Sequence, residues 1–383
     1  MTMTRASAWI AGTDRPEIET VRIGFMPLAD CAPLVMASVL GFDERYGVRF
    51  ELTRELSWTS MRDRLIGQQL DAAHVLAGML YGVQNGIGTQ QCDMAVLMNL
   101  HQNGQGITLS RALANAARDP GLLKRRVQDS GRRLVLAHTF PTGNHAMFLY
   151  YWLAAHGIDP LLDCQAVTVP PVQMAASLAA GHMDGFCAGE PWGQRAQRDG
   201  AGVQAASSEQ IWPNHPGKAL GTRADFAATH PNACRAMIAA LLDAARWLDA
   251  ARANRDAAAE ALASPAYIGA SRETLQFCLA GRQTNGDGWR GHNGLRFHAD
   301  GEANFPWLSD GMWFMTQHRR WGLLREDPAY LALAAQVNRI DLFREAAERT
   351  GTMLPASSMR KSILVDGRVW DGSDPQAWAA PGS

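Results

Sequence analysis

Short apolar runs of strand length alternate with stretches of helix-like pattern along the chain as far as Arg223. Residues 21–26, 48–52, 72–77 and 94–97 read as strands. Between them, residues 32–40, 59–65 and 79–85 read as helices, the second opened by Ser57 as a plausible N-cap. A turn at 103–106 leads into an extended run at 107–109, and the alternation then restarts at 132–137. A helix follows His145, then a strand at 166–169, a helix at 172–180, a strand at 184–188, a helix opened by Glu190-Pro-Trp192, and a last strand at 220–223. From Pro231 the pattern becomes Ala-rich and helical, at 231–253, 255–263, 271–280, 308–319, 327–337 and 342–350, with a Gly- and Asn-rich loop at 283–293. Alternation of this kind predicts an α/β fold of mainly parallel sheets with helices on both faces.

At 383 residues the chain is long for one core. The pattern predicts two lobes, the second inserted in the first. Residues 1–20 form a tail, 21–130 and 218–383 the first lobe with the C-terminal helices, and 131–217 the second lobe. The crossovers are expected near Ser130 and Gly217, and ligands of such folds bind in the cleft at the carboxyl ends of the strands.

The stretch 139–160 is the most informative local unit. An apolar run at 133–137 meets a turn of Pro141, Thr142, Gly143 and Asn144, then a helix that stops at Gly157 with Pro160 beyond. Strand, glycine turn and helix can aim free backbone N–H groups at an anion, with His145 as an added donor; the same pattern also serves as an ordinary strand-to-helix turn.

Composition narrows the function. With 47% hydrophobic and 19% charged residues the chain is ordinary for a globular protein, and its net charge of −1 offers no basic field for nucleic acid or an anionic membrane. Cys31, Cys92, Cys164, Cys187, Cys234 and Cys278 form no C-x-x-C pair, which suits buried thiols in a reducing compartment. Residues 1–19 hold five charges and no signal-like apolar run, so a cytoplasmic location is expected. No nucleophile elbow, Walker loop, H-E-x-x-H, zinc spacing or complete dinucleotide fingerprint occurs, so neither an enzyme nor a bound metal or cofactor is expected. Lysine is rare: Lys124, Lys218 and Lys361 are the only three among 36 Lys and Arg residues. Lys218 in Asn214-His-Pro-Gly-Lys218 is either an exposed loop residue or a compact point charge for a small anion.

Several segments together resemble the nitrate-binding proteins of bacterial ABC transporters. They are residues 24–34, Ser57-Trp58 with Arg62-Asp63, 100–106, Phe140-Pro-Thr-Gly-Asn-His145, 151–160, 169–174, 183–192 and 215–221. The resemblance implies a type II periplasmic-binding-protein-like fold. It also implies anion contacts from Trp58, Gln105, His145, the backbone at Ala146, and Lys218. Trp58 and Gln105 are expected in the first lobe, His145 in the second, and Lys218 at the crossover, supplying the charge for the anion. Asp30 reads instead as a helix cap, Glu190 as the start of its helix, and Tyr150, Tyr151 and Trp152 as lobe packing. The unadorned N-terminal residues and the lack of an ATPase domain resemble the cytoplasmic nitrate/nitrite sensor branch (NasS). Such a sensor sequesters a NasT-like antiterminator when ligand-free. The alternative is the solute-binding component of a nitrate transporter; an enzyme related to pyrimidine synthases lacks its cysteine-rich motif here. In the bicarbonate-binding relatives an acidic residue near the Lys218 position holds calcium, so Lys218 points to a monoanion bound without metal.

Overall fold

The computed structural model describes residues 14–380, except 118, 130, 281 and 285–287. Ten strands make the framework: β1 (Thr20–Phe25), β2 (Arg49–Arg54), β3 (Ala72–Leu76), β4 (Met94–Asn99), β5 (Gln105–Ser110), β6 (Leu134–His138), β7 (Cys164–Thr168), β8 (Gly185–Gly189), β9 (Gly202–Ser207) and β10 (Lys218–Arg223). They form two five-stranded sheets, ordered β2-β1-β3-β10-β4 and β7-β6-β8-β5-β9. In the first, β1 runs parallel to β2 and β3, while β10 is antiparallel to β3 and β4. In the second, β6 runs parallel to β7 and β8, while β5 is antiparallel to β8 and β9. The α/β two-lobe expectation holds, and the sheets are mixed.

The lobe boundary differs from the sequence expectation. Pairing of β5 with β8 and β9 places Gln105 in the second lobe, so the first crossover lies between Asn99 and Gln105. Ser130 is outside the described residues, and the helix Pro120–Asp129 before it already packs Leu123 and Val127 with Leu134 and Leu136. The second crossover runs through 208–217, between β9 and β10. The antiparallel strand in each sheet follows from these crossings. A chain leaving a parallel strand at its carboxyl end is already at the cleft, so the strand it enters next must run away from the cleft. Gln105 and Lys218 are the first residues of those two returning strands, and both therefore start at the cleft edge.

The Ala-rich helix Pro231–Ala250 is buried over most of its surface and packs on Ala32–Val39 and Ile340–Thr350. Of the expected tail, residues 1–13 lie outside the described residues, whereas Glu17 accepts from the N–H groups of Asn232 and Ala233 at 3.0 and 2.9 Å. At the other end, Trp370 Nε1 donates to Ser309 O at 2.8 Å and Trp378 stacks on Tyr151, 6.2 Å between centroids. Tyr151 also donates to Asp366 at 2.7 Å, so the C-terminal segment joins the second-lobe helix Asn144–Ala155 to the helix Leu308–Arg320. The expected loop at 283–293 includes a small hairpin, Arg282–Thr284 with Gly288–Arg290. No described helix is long and apolar enough to cross a membrane.

Candidate functional site

Trp58 is the first residue of the helix Trp58–Ile66, capped by Ser57, whose Oγ accepts from Ser60 N–H at 3.1 Å. Its ring is buried, with Lys218 Nζ 6.0 Å from the centroid, and its indole N–H has no partner. Gln105 is fully buried at the start of β5; its backbone N–H donates to Ser208 Oγ at 3.2 Å, but neither atom of its side-chain amide is bonded. His145 is the second residue of Asn144–Ala155, a helix with no side-chain N-cap. Its Nδ1 lies 2.5 Å from Thr139 Oγ1, and its Nε2 is buried without a partner. Burial, reinforced by the positive charge of Lys218, holds the imidazole well below its usual pKa and so neutral. In the tautomer in which the Thr139 hydroxyl donates to Nδ1, the Nε2–H is left as a donor. The Ala146 N–H is already engaged by Gly143 O at 3.1 Å, so this predicted contact is the least available.

Lys218 is completely buried on β10, which removes its reading as an exposed loop residue. Its Nζ pairs with Asp30 Oδ2 at 2.8 Å. Asp30 caps no helix: Leu28 and Cys31 occupy the N-cap positions of the two helical turns around it, and neither turn has a side-chain cap. Instead Asp30 Oδ1 meets His74 Nε2 at 2.9 Å and Oδ2 meets His101 Nε2 at 3.3 Å. Burial alone would push the Asp30 carboxyl up, but Lys218, His101 and His74 together hold it well below the ordinary range and ionised. Both histidines are lowered by burial, against the pull of Asp30. Lys218 therefore carries its own counter-ion, and the charged side chains at the centre of the cleft sum to zero.

Both lobes supply the walls. Gly189, opposite Gln105 in the β5–β8 ladder, leaves room for Asp30: a methyl group there would lie 3.4 Å from Oδ2. Ala29 N–H donates across the cleft to Glu190 O at 2.8 Å. Glu190 is itself buried, accepting from Gln194 N–H at its helix start and from Asn293 Nδ2 at 2.7 Å, and burial pushes its carboxyl up to about 7. Tyr150, Tyr151 and Trp152 pack in the core, as expected. The sequence reading missed Asp30, His74 and His101 as members of the site. A histidine inside the apolar run Ala72-Ala-His-Val-Leu76 was the available signal.

The arrangement offers three neutral polar groups and one cation to a small acceptor. Two α/β lobes closed on such a cleft define the class of periplasmic-binding-protein-like solute-binding proteins. The chain belongs to the NMT1-like family, whose model matches residues 14–263. It is 37% identical to the nitrate/nitrite binding protein NrtA of Synechococcus elongatus over 98% of this chain and 89% of that protein. It is 34% identical to the nitrate import ATP-binding protein NrtC of Synechocystis, over 92% of this chain and 53% of that longer protein. The crystal structure of the periplasmic nitrate-binding protein NrtA from Synechocystis superposes with a TM-score of 0.87 at 32% identity, covering 95% of this chain and 98% of NrtA.

Proposed function

We propose that this chain binds nitrate or nitrite between its lobes, as the substrate-binding component of an anion importer. The observation that carries the reading is the set of buried, unpartnered polar atoms on Trp58, Gln105 and His145, with Trp58 and His145 close enough to Lys218 to interact with it. Each buried unpaired polar group costs about 1–3 kcal/mol, a cost that a planar acceptor anion would relieve. Three neutral donors and one cation suit a weakly accepting monoanion, and similarity to NrtA and to the nitrate import ATP-binding protein NrtC supports the transport role.

Calorimetry with nitrate, nitrite and bicarbonate, each with and without EDTA, tests the reading. Nitrate or nitrite is expected to bind in both conditions. Calcium-dependent bicarbonate binding with no response to either nitrogen oxyanion would sink it. Within that experiment, His145→Ala or Gln105→Ala each removes a hydrogen bond to a charged group, about 1.5–3 kcal/mol, and should weaken affinity roughly 10- to 100-fold. Unchanged affinity in both variants would place the anion elsewhere.

A second reading, the cytoplasmic sensor that holds a NasT-like antiterminator, uses the same site. All six cysteines are unpaired and five are buried, a pattern at home in a reducing compartment. An RNA-binding protein that co-purifies with the chain and is released by nitrate would favour this reading over transport.

A further inference from the structure

A monoanion entering the cleft meets a charge count that is already balanced, because Asp30 neutralises Lys218 at 2.8 Å. The anion would bring an uncompensated buried charge, which is costly. The groups around Asp30 decide how that charge can be met. His74 Nδ1 accepts the Met26 N–H at 3.4 Å and its Nε2 faces Asp30, so both of its nitrogens are already in use. His101 is different. Its Nε2 faces both the Lys218 N–H at 3.0 Å, which asks for a lone pair, and Asp30 Oδ2 at 3.3 Å, which asks for a proton. Its Nδ1 is buried with no partner. One neutral imidazole cannot serve both neighbours at Nε2; an added proton there would donate to the carboxylate in exchange for the bond accepted from the Lys218 N–H.

We infer that the anion enters together with one proton, received by His101 beside Asp30. The inference rests on the proposed anion binding at this site. Other groups that bear on His101 are Lys218, which disfavours the imidazolium, and neutral His215, held well below its usual pKa by burial. His74, which feels His101, and from the second lobe neutral His145 and the Glu190 carboxyl, both of which feel Asp30, are further titratable neighbours. Burial keeps His101 neutral in the free site, and the arriving negative charge raises its pKa in the bound site. Between those two pKa values each anion takes up one proton, so affinity falls as pH rises, by about tenfold per unit. Above the bound-state value and below the free-state value the dependence flattens.

Titrating the intact protein with sodium nitrate in HEPES and in Tris, from about pH 6 to about pH 8, reads the proton count from the difference in heat. The expected result is uptake approaching one proton per nitrate at the lower end, with affinity declining towards the upper end. His101→Gln, which keeps a polar group without a titratable one, should take up none and lose the pH slope. Asp30→Asn frees Lys218 for the anion; its affinity at about pH 8 should rise threefold or more, with no proton uptake. Nitrate binding with equal heats in both buffers would overturn the inference and leave the binding site standing. Uptake persisting in His101→Gln would overturn the assignment to His101. No nitrate binding in any buffer would instead remove the proposed function itself.

Discussion

Replacing Lys218 with methionine is expected to cost about 3–5 kcal/mol of folding stability as well as nitrate binding, because it strands the Asp30 carboxylate in a dry interior. Asp30 and Lys218 are both buried, and their 2.8 Å contact joins the segment after β1 to β10. Removing both charges in Asp30→Asn/Lys218→Met leaves a polar and an apolar group of similar volume, and most of the lost stability should return. Nitrate binding should not, since no cation remains. Urea unfolding of the two single variants and the double variant closes a thermodynamic cycle that isolates the pair. A Lys218→Met protein as stable as the wild type would show that Asp30 finds other compensation. Lys218→Glu looks from the sequence like a simple charge reversal at a ligand site. In the structure it would set two carboxylates face to face in a closed cleft, so loss of binding there could not be separated from loss of fold.

The elements were legible because their signals are local. The run before Thr139, the turn at Gly143 and the stop at Gly157, with φ of 71°, needed nothing beyond neighbouring residues. Lobe membership was not local. β5 is six residues long, and its partners β8 and β9 arrive about eighty or more positions later, so nothing near Gln105 announces the sheet it joins. β9 itself escaped notice because Gly202–Ser207, rich in Gly and Ala and with only Val203 β-branched, lacks the side chains that mark a strand. The resemblance named Trp58, Gln105, His145 and Lys218; all four side chains are buried, and Trp58, Gln105 and His145 each keep a polar atom without a partner. It could not show that Lys218 is already paired. Asp30, His74, His101 and Lys218 come from four separate segments, and only folding reveals that their charges cancel.

Asn144→Ala is expected to weaken anion binding roughly 10- to 1,000-fold without touching the anion itself. The Asn144 side chain is fully buried between the lobes. Its Oδ1 accepts from the Gly78 N–H at 3.1 Å, and its Nδ2 donates to Pro216 O at 3.1 Å and Gly217 O at 2.7 Å. Two residues earlier, Thr142 O is bonded to His318 Nε2 at 2.8 Å, again across the cleft. Asn144 therefore ties the start of the second-lobe helix to the helix Ala77–Gln84 and to the approach to Lys218. If the free lobes open, these bonds would be made only in the shut form, and water would satisfy the same groups in the open one. Three hydrogen bonds at about 0.5–1.5 kcal/mol each set the closed state's advantage from this one side chain. Apparent affinity scales with the fraction of closed molecules, so removing the clamp weakens binding by at most that factor, and by less where the closed form predominates. Stability against unfolding should change far less, because the open form relieves the orphaned groups. Asn144→Asp should be worse than alanine, since a carboxylate would face two carbonyl oxygens. The same equilibrium would govern any partner that distinguishes open from closed, and partner and anion must then oppose or assist each other by equal factors. Small-angle scattering of the ligand-free variant should show a more open particle than the wild type, closing again at saturating nitrate. An Asn144→Ala protein with wild-type affinity and an unchanged scattering profile would show that the cleft is shut by other contacts.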